Sequence, residues 1–93
     1  MSALGVKTPA EIKDFTINWA TDLGTDTIST SAWAVSPAGP SIASNTNTSQ
    51  AATVWISGGT LNAFYDVTNT ITTAGGRTLS ETFKLEVVAA NYL

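Results

Sequence analysis

The chain has 93 residues, of which 43% are hydrophobic and 12% charged, with a formal net charge of −3 and neither cysteine nor histidine. That length holds one domain, whose single modest core buries about 60–70% of the surface its unfolded form exposes. The basic residues Lys7, Lys13, Arg77 and Lys84 are scattered and form no patch that would neutralise phosphates, which argues against nucleic acid as a partner.

No run approaches the ~20 apolar residues of a membrane-spanning helix. Residues 1–7 lack the basic start and apolar centre of a signal peptide. Retention in a cytoplasm is the expected default, with delivery elsewhere as part of a larger assembly. The low charge leaves a surface of Thr, Ser, Ala and Asn, which suits β structure and tolerates being covered by a neighbour.

In chain order, residues 1–10 are small and apolar, with Pro9 near the end, and read as an N-terminal arm. Residues 11–93 form the domain. Residues 14–19 alternate, with Phe15, Ile17 and Trp19 on one face, and predict the first strand. Residues 20–26, with Asp22, Gly24 and Asp26, read as a turn or short loop. A strand follows over 27–35, where Trp33 and Val35 share a parity that Ile28 does not; one bulge would reconcile them. Residues 36–50 hold Pro37, Gly39, Pro40 and a polar tract, with room for one short edge strand at 41–44. Residues 51–57 predict a strand with Ala52, Val54 and Ile56 opposite Trp55, followed by a turn at Gly58-Gly59-Thr60.

The clearest pattern lies at the end of the chain. In residues 64–73 Tyr65, Val67, Asn69 and Ile71 share one face, and in 78–88 Phe83, Leu85 and Val87 do the same. For both odd-numbered sets to face one core, paired residues must have an even index sum. A three-residue loop closed by Thr73 and Arg77 meets that condition, placing Val67 beside Phe83 and Tyr65 beside Leu85, with Gly76 in the left-handed position. The expected fold is all-β, an immunoglobulin-like β-sandwich of six or seven strands without a helix. Tyr65 has two readings: a tyrosine corner whose hydroxyl bonds back to the chain, or a half-buried aromatic at a strand end.

Chemistry finds little support. Without His or Cys the commonest nucleophile–base arrangements are absent. Ser57 lacks the Gly-x-Ser-x-Gly elbow, and a sandwich this small has little room for two carboxyls across a cleft. Asp22, Asp26 and Asp66 would serve calcium only if loops converged; turn capping is the simpler role. Asn47-Thr48-Ser49 fits a glycosylation acceptor, which carries no weight without an export signal. Catalytic, cofactor and metal residues are therefore expected to be none. Trp19 and Trp33 share faces with core residues, whereas Trp55 opposes Val54 and Ile56 and must meet something other than water. Arg77 would project from the hairpin tip toward a partner's carboxylate. Leu4, Val6, Trp55 and Arg77 are thus the candidate protein-interface residues.

Three blocks carry a family resemblance. Residues 19–28, Trp-Ala-Thr-Asp-Leu-Gly-Thr-Asp-Thr-Ile, resemble the W-x-x-x-L-G-x-D-T-I opening of small structural proteins of tailed-phage particles. Residues 52–59 resemble their A-T-V-W-[LI]-S-G-G run. Residues 65–73, Gly76-Arg77-Thr78 and residues 83–87 are similar to their closing Y-x-V-T-N-x-I-T-T, G-R-T and F-x-[IL]-x-V strings. The closing block is also similar to bacterial immunoglobulin-like and PKD-like repeats, which occur in tandem in long secreted chains; a chain running from Met1 to Leu93 favours a standalone virion part.

The resemblance implies a non-enzymatic adaptor, made in the host cytoplasm and resident in the virion. Such an adaptor would join a connector or tail to fibres or neighbouring virion proteins, without cofactors, nucleic acid or membrane. Several copies in a symmetric assembly are expected, with residues 1–10 pairing with a neighbour's strand edge. The alternatives are a capsid decoration protein, or a carbohydrate- or surface-binding module using Trp55 or Tyr65 as a stacking platform.

Overall fold

Alternation and turn chemistry in the last third of the chain set the frame on which the other strands pack. The computed structural model describes residues 4–89. Its strands are β1 (Leu4–Lys7), β2 (Ile12–Asn18), β3 (Ile28–Ser36), β4 (Ser41–Asn47), β5 (Ala51–Ser57), β6 (Phe64–Thr73) and β7 (Thr78–Val87), with one short helix, α1 (Ala20–Leu23). They form a four-stranded sheet in the order β1-β7-β6-β3 and a three-stranded sheet in the order β2-β5-β4. The protein is all-β, with two sheets.

The β6–β7 hairpin has the expected register, with Val67 opposite Phe83 and Tyr65 opposite Leu85. The Thr73 N–H donates to the Arg77 carbonyl at 2.9 Å, closing the three-residue loop. Gly76 takes φ +91°, a conformation that a side chain would strain. Odd-numbered residues of this hairpin meet Val54 and Ile56 of β5 in one apolar cluster; Trp19, Leu23, Ile28, Ala52 and Ile71 form a second. The register shift between Ile28 and Thr30 is the bulge that brings Ile28 and Trp33 to the same side.

Asn69 sits among these apolar residues with no exposure. Its Oδ1 accepts from Trp19 Nε1 at 2.9 Å, while its Nδ2 donates to Ser31 Oγ and the Ala32 carbonyl, both at 2.9 Å. A buried amide left unpaired is costly, so this network favours one packing of Trp19 and β3 against β6 over its alternatives. The outward faces carry hydroxyl pairs across strands, Thr16 with Thr53 at 2.8 Å, Thr68 with Thr82 at 2.9 Å, Thr70 with Ser80 at 3.0 Å, and Thr30 with Thr72.

Three expectations require correction. Leu4–Lys7 is not a free arm: it pairs in parallel with its own β7, Leu4 opposite Lys84 and Lys7 opposite Val87. Gly5 permits this, because a Cβ there would stand 2.7 Å from Phe15 and 3.2 Å from Phe83, whose rings pack with centroids 5.4 Å apart. Residues 1–3 lie outside the described residues. A helix is present, although only one turn long. Asn18 Oδ1 accepts its first free amide from Ala20 at 2.9 Å, and Gly24 ends it at φ +63°. The polar tract is also more ordered than expected, since β4 runs through Asn47 in backbone pairing with β5, with Ile42 its one side chain packed against the core.

Asn69→Ala is expected to lower unfolding free energy by about 2–4 kcal/mol, since the buried Trp19 Nε1 loses its acceptor and the bonds to Ser31 and the Ala32 carbonyl are lost with it. Thr70→Ala on the outward face should change it by about 1 kcal/mol or less. Urea denaturation followed by tryptophan fluorescence measures both.

Candidate protein-docking site

The connections at the two ends of the molecule differ in chemistry. At the helix end, backbone bonds lace the loops together: Trp19 N–H to the Gln50 carbonyl at 2.8 Å, Ile28 N–H to Ser49 at 2.9 Å, and Ala74 N–H to Thr27 at 2.9 Å. Asp26 lies at the centre. Its Oδ1 accepts from the Gly75 N–H at 2.9 Å, and its Oδ2 accepts from Arg77 Nε and Nη2 at 3.3 and 3.2 Å. The same guanidinium donates to the carbonyls of Asp22 and Leu23 at 3.2 and 3.1 Å where α1 ends, the Leu23 carbonyl also accepting from the Asp26 N–H at 3.0 Å. Gly75 is required here, because a Cβ would stand 2.8 Å from Asp26 Oδ2.

The opposite end is organised by a buried lysine. Lys7 has no exposure. Its amino group donates to the Thr8 carbonyl at 2.6 Å and the Gly58 carbonyl at 2.5 Å, tying the end of β1 to the β5–β6 turn. Burial lowers its pKa, and the nearby Glu11 charge opposes that shift. Glu11 in turn accepts from the Thr8 N–H at 2.7 Å, a bond that lowers the pKa of its own carboxyl.

The same turn is held at two more points. Tyr65, at the start of β6, accepts from the Thr60 N–H at 2.9 Å, so its hydroxyl does bond back to the preceding turn. The Asn62 N–H donates to the Val87 carbonyl at 2.7 Å. Gly59 lies so close to Val87 that a Cβ would approach Cγ2 to 2.8 Å.

On this pinned framework stand Ile12, Leu61 and Phe64, exposed by 64%, 46% and 54%. Among the described residues these are the large hydrophobic side chains left open to water, and all three lie at this end: Ile12 opposite Ser57, Phe64 opposite Glu86, and Leu61 in the turn between. The chain's prolines, Pro9, Pro37 and Pro40, fall in the connections here as well. Proline fixes φ and limits how far those connections rearrange. An apolar surface on a pre-ordered base can be covered by a partner with little loss of chain entropy.

The four sequence-derived interface residues do not converge. Leu4 and Val6 lie on β1, where Leu4 pairs with Lys84 and the half-buried Val6 with Glu86. Trp55 is half-buried on the outward face of the three-stranded sheet, between Asp14 and Ser44 in register. Arg77 does not project from the hairpin tip, because its donors are engaged within its own chain. The three aspartates do not converge either: Asp22 and Asp26 lie together at the helix end, whereas Asp66 pairs with Lys84 at 2.8 Å near the other end of β6. Ile12, Leu61 and Phe64 were missed as interface residues, although two carried a signal. Ile12 and Phe64 are large apolar residues at even positions, on the wetted faces of strands whose odd positions turn inward, half-buried in β2 and buried in β6.

Two packed sheets, laced at one end and apolar at the other, define a small all-β domain. Its sequence matches the family model described as podophage GP4 fiber-tail adaptor protein gp77 over residues 7–86, and the chain belongs to that family. Comparison with curated proteins finds no match.

The Thr73 hydroxyl, the Thr27 and Gly75 amides and the Arg77 guanidinium hold the Asp26 carboxyl down at about 2, against an ordinary 3.8. A depressed carboxylate stabilises the fold fully above its unfolded value, and that contribution is lost as pH falls through the folded value. Thermal melts should therefore show stability falling between about pH 4 and pH 2. Asp26→Asn should lower the melting temperature at pH 7 and flatten that acid limb.

Proposed function

We propose that this chain joins podophage tail and fibre components as a non-enzymatic adaptor, docking one partner at the apolar end on Leu61 and Phe64, with Ile12 exposed on the outward face of the other sheet at the same end. The observation that carries this reading is the exposure of Leu61 and Phe64, three positions apart on the pinned β5–β6 turn and the start of β6, in a member of a fibre–tail adaptor family. Exposed aromatic and aliphatic anchors are the residues that dominate protein–protein contacts once desolvated.

The strand order supports an immunoglobulin-like assignment. β2-β5-β4 against β7-β6-β3 corresponds to the B-E-D and G-F-C strands of a constant-type domain, with Tyr65 at the F-strand corner. Several copies around a symmetric particle would make weak single contacts durable. In this reading the chain is made in the host cytoplasm and resides in the virion, and Val6 and Trp55 serve as secondary contacts.

Leu61→Asp/Phe64→Asp changes exposed side chains and should leave the circular-dichroism melt nearly unchanged. Loss of one anchor of this kind weakens a contact by about tenfold or more. Incorporation of the double variant into particles, read by quantitative immunoblot of purified virions, should fall by at least that factor. Normal incorporation of a folded variant would contradict the assignment of this end.

A further inference from the structure

Among the described residues the two sheets have four edge strands, and three of them carry features that discourage further pairing. β1 has four residues and is followed by Thr8-Pro9. β2 carries Lys13 and Asp14. β4 is interrupted by a register shift between Ile42 and Ser44. Shortness, charge and bulges are the usual protections of a sheet edge.

β3 lacks them over most of its length. It has nine residues, Ile-Ser-Thr-Ser-Ala-Trp-Ala-Val-Ser, with no charge and no proline. Its irregularity falls at the start, and from Thr30 to Ser36 its pairing with β6 is unbroken. The Ile28 N–H is already taken by Ser49 at 2.9 Å, which leaves residues 30–36 as the open stretch.

Trp33, at the middle of that stretch, is unlike Trp19. Trp19 is 3% exposed and donates to Asn69. Trp33 packs against both core clusters yet remains half-buried, and its Nε1 is buried without an acceptor among the described residues. Val35, on the same inward face, is also half-buried.

The geometry points to β3 of a second copy as the occupant of this edge, antiparallel about a two-fold axis at Trp33 and continuing the four-stranded sheet from one molecule into the next. Three features favour a second copy over an unrelated strand. An uncharged edge lets two chains of net charge −3 meet without opposing like charges. A register centred on Trp33 uses the whole open stretch, with Thr30 opposite Ser36 and Ala32 opposite Ala34. That register also keeps odd residues facing odd residues, so Trp33 and Val35 of both copies are covered on the inner face. The contact is small by the standard of stable interfaces, which suits a joint used in many copies. It deepens the multi-copy part of the adaptor reading and involves none of the apolar-end residues.

The outward-facing Ala32 and Ala34 are exposed, so substitutions there spare the core. Sedimentation of the wild-type chain at millimolar concentration should give the mass of two 9.6 kDa chains. Ala32→Glu/Ala34→Glu sets like charges directly opposite and should sediment as a monomer; mixing it with the Ala32→Lys/Ala34→Lys chain should restore the dimer. Because the protein has no cysteine, Ala32→Cys/Ala34→Cys should cross-link into dimers faster than a control pair, Thr68→Cys/Thr70→Cys, one strand inward. A wild-type chain that stays monomeric overturns the proposal and leaves the edge to an extended segment of another protein. A Glu pair that dimerises like wild type, or cysteine pairs that cross-link at equal rates, overturns it too. None of these outcomes bears on incorporation through Leu61 and Phe64, so the two readings fail separately.

Discussion

The Lys7 amino group, held between the Thr8 and Gly58 carbonyls, is the contact on which the organisation of the apolar end depends. It fixes three segments at one point: the end of β1, the β1–β2 connection and the turn that leads into β6. A lysine is rarely free of solvent unless its donors are paired. Once paired, it joins segments far apart in sequence, as no apolar side chain of the same length would. Leu61 and Phe64 belong to the turn and strand fixed in this way, so a buried polar bond is what allows exposed apolar groups to keep a defined arrangement.

Polar contacts do different work elsewhere in the domain. Asn69 lies in the interior and selects how Trp19 and β3 pack against β6, a matter of specificity within a core that apolar burial alone would leave looser. Arg77 and Asp26 close the helix end, where the guanidinium bonds the last carbonyls of a one-turn helix and the Asp26 carboxylate at once. The outward faces are covered by hydroxyl pairs with few charges, which keeps the sheets wettable without strong repulsion toward neighbouring chains. These choices leave one end and one sheet edge unfinished, and those are the two places where we propose contacts with other molecules.

Much of the frame was legible because it follows from local periodicity. The β6–β7 register came from parity and loop length, and the bulge after Ile28 from a clash of parity with Trp33. The features that escaped depend on non-local or backbone-only contacts. β1 pairs in parallel with a strand some eighty positions away, and its four residues are too few to show a period. β4 was legible only over 41–44; its second half, residues 45–47, buries no side chain, so nothing in that polar composition marks the strand's full length. The Lys7 side chain looks like an ordinary solvating group near a terminus until Gly58 is brought beside it. Arg77 resembled an exposed turn residue because its partner Asp26 is 51 positions away. Ile12 and Phe64 were readable in principle, as apolar residues at positions where parity calls for polar ones.

Amide hydrogen exchange of Lys7→Met against wild type tests the account most directly. If the lysine pins the apolar end, the amides of Thr60, Asn62, Ala63 and Val87 should exchange faster in the variant, while those of Val67–Ile71 in the middle of β6 keep their protection. Equal protection of the β5–β6 turn in both proteins would show that this end holds its shape without Lys7, contrary to the structure's central claim.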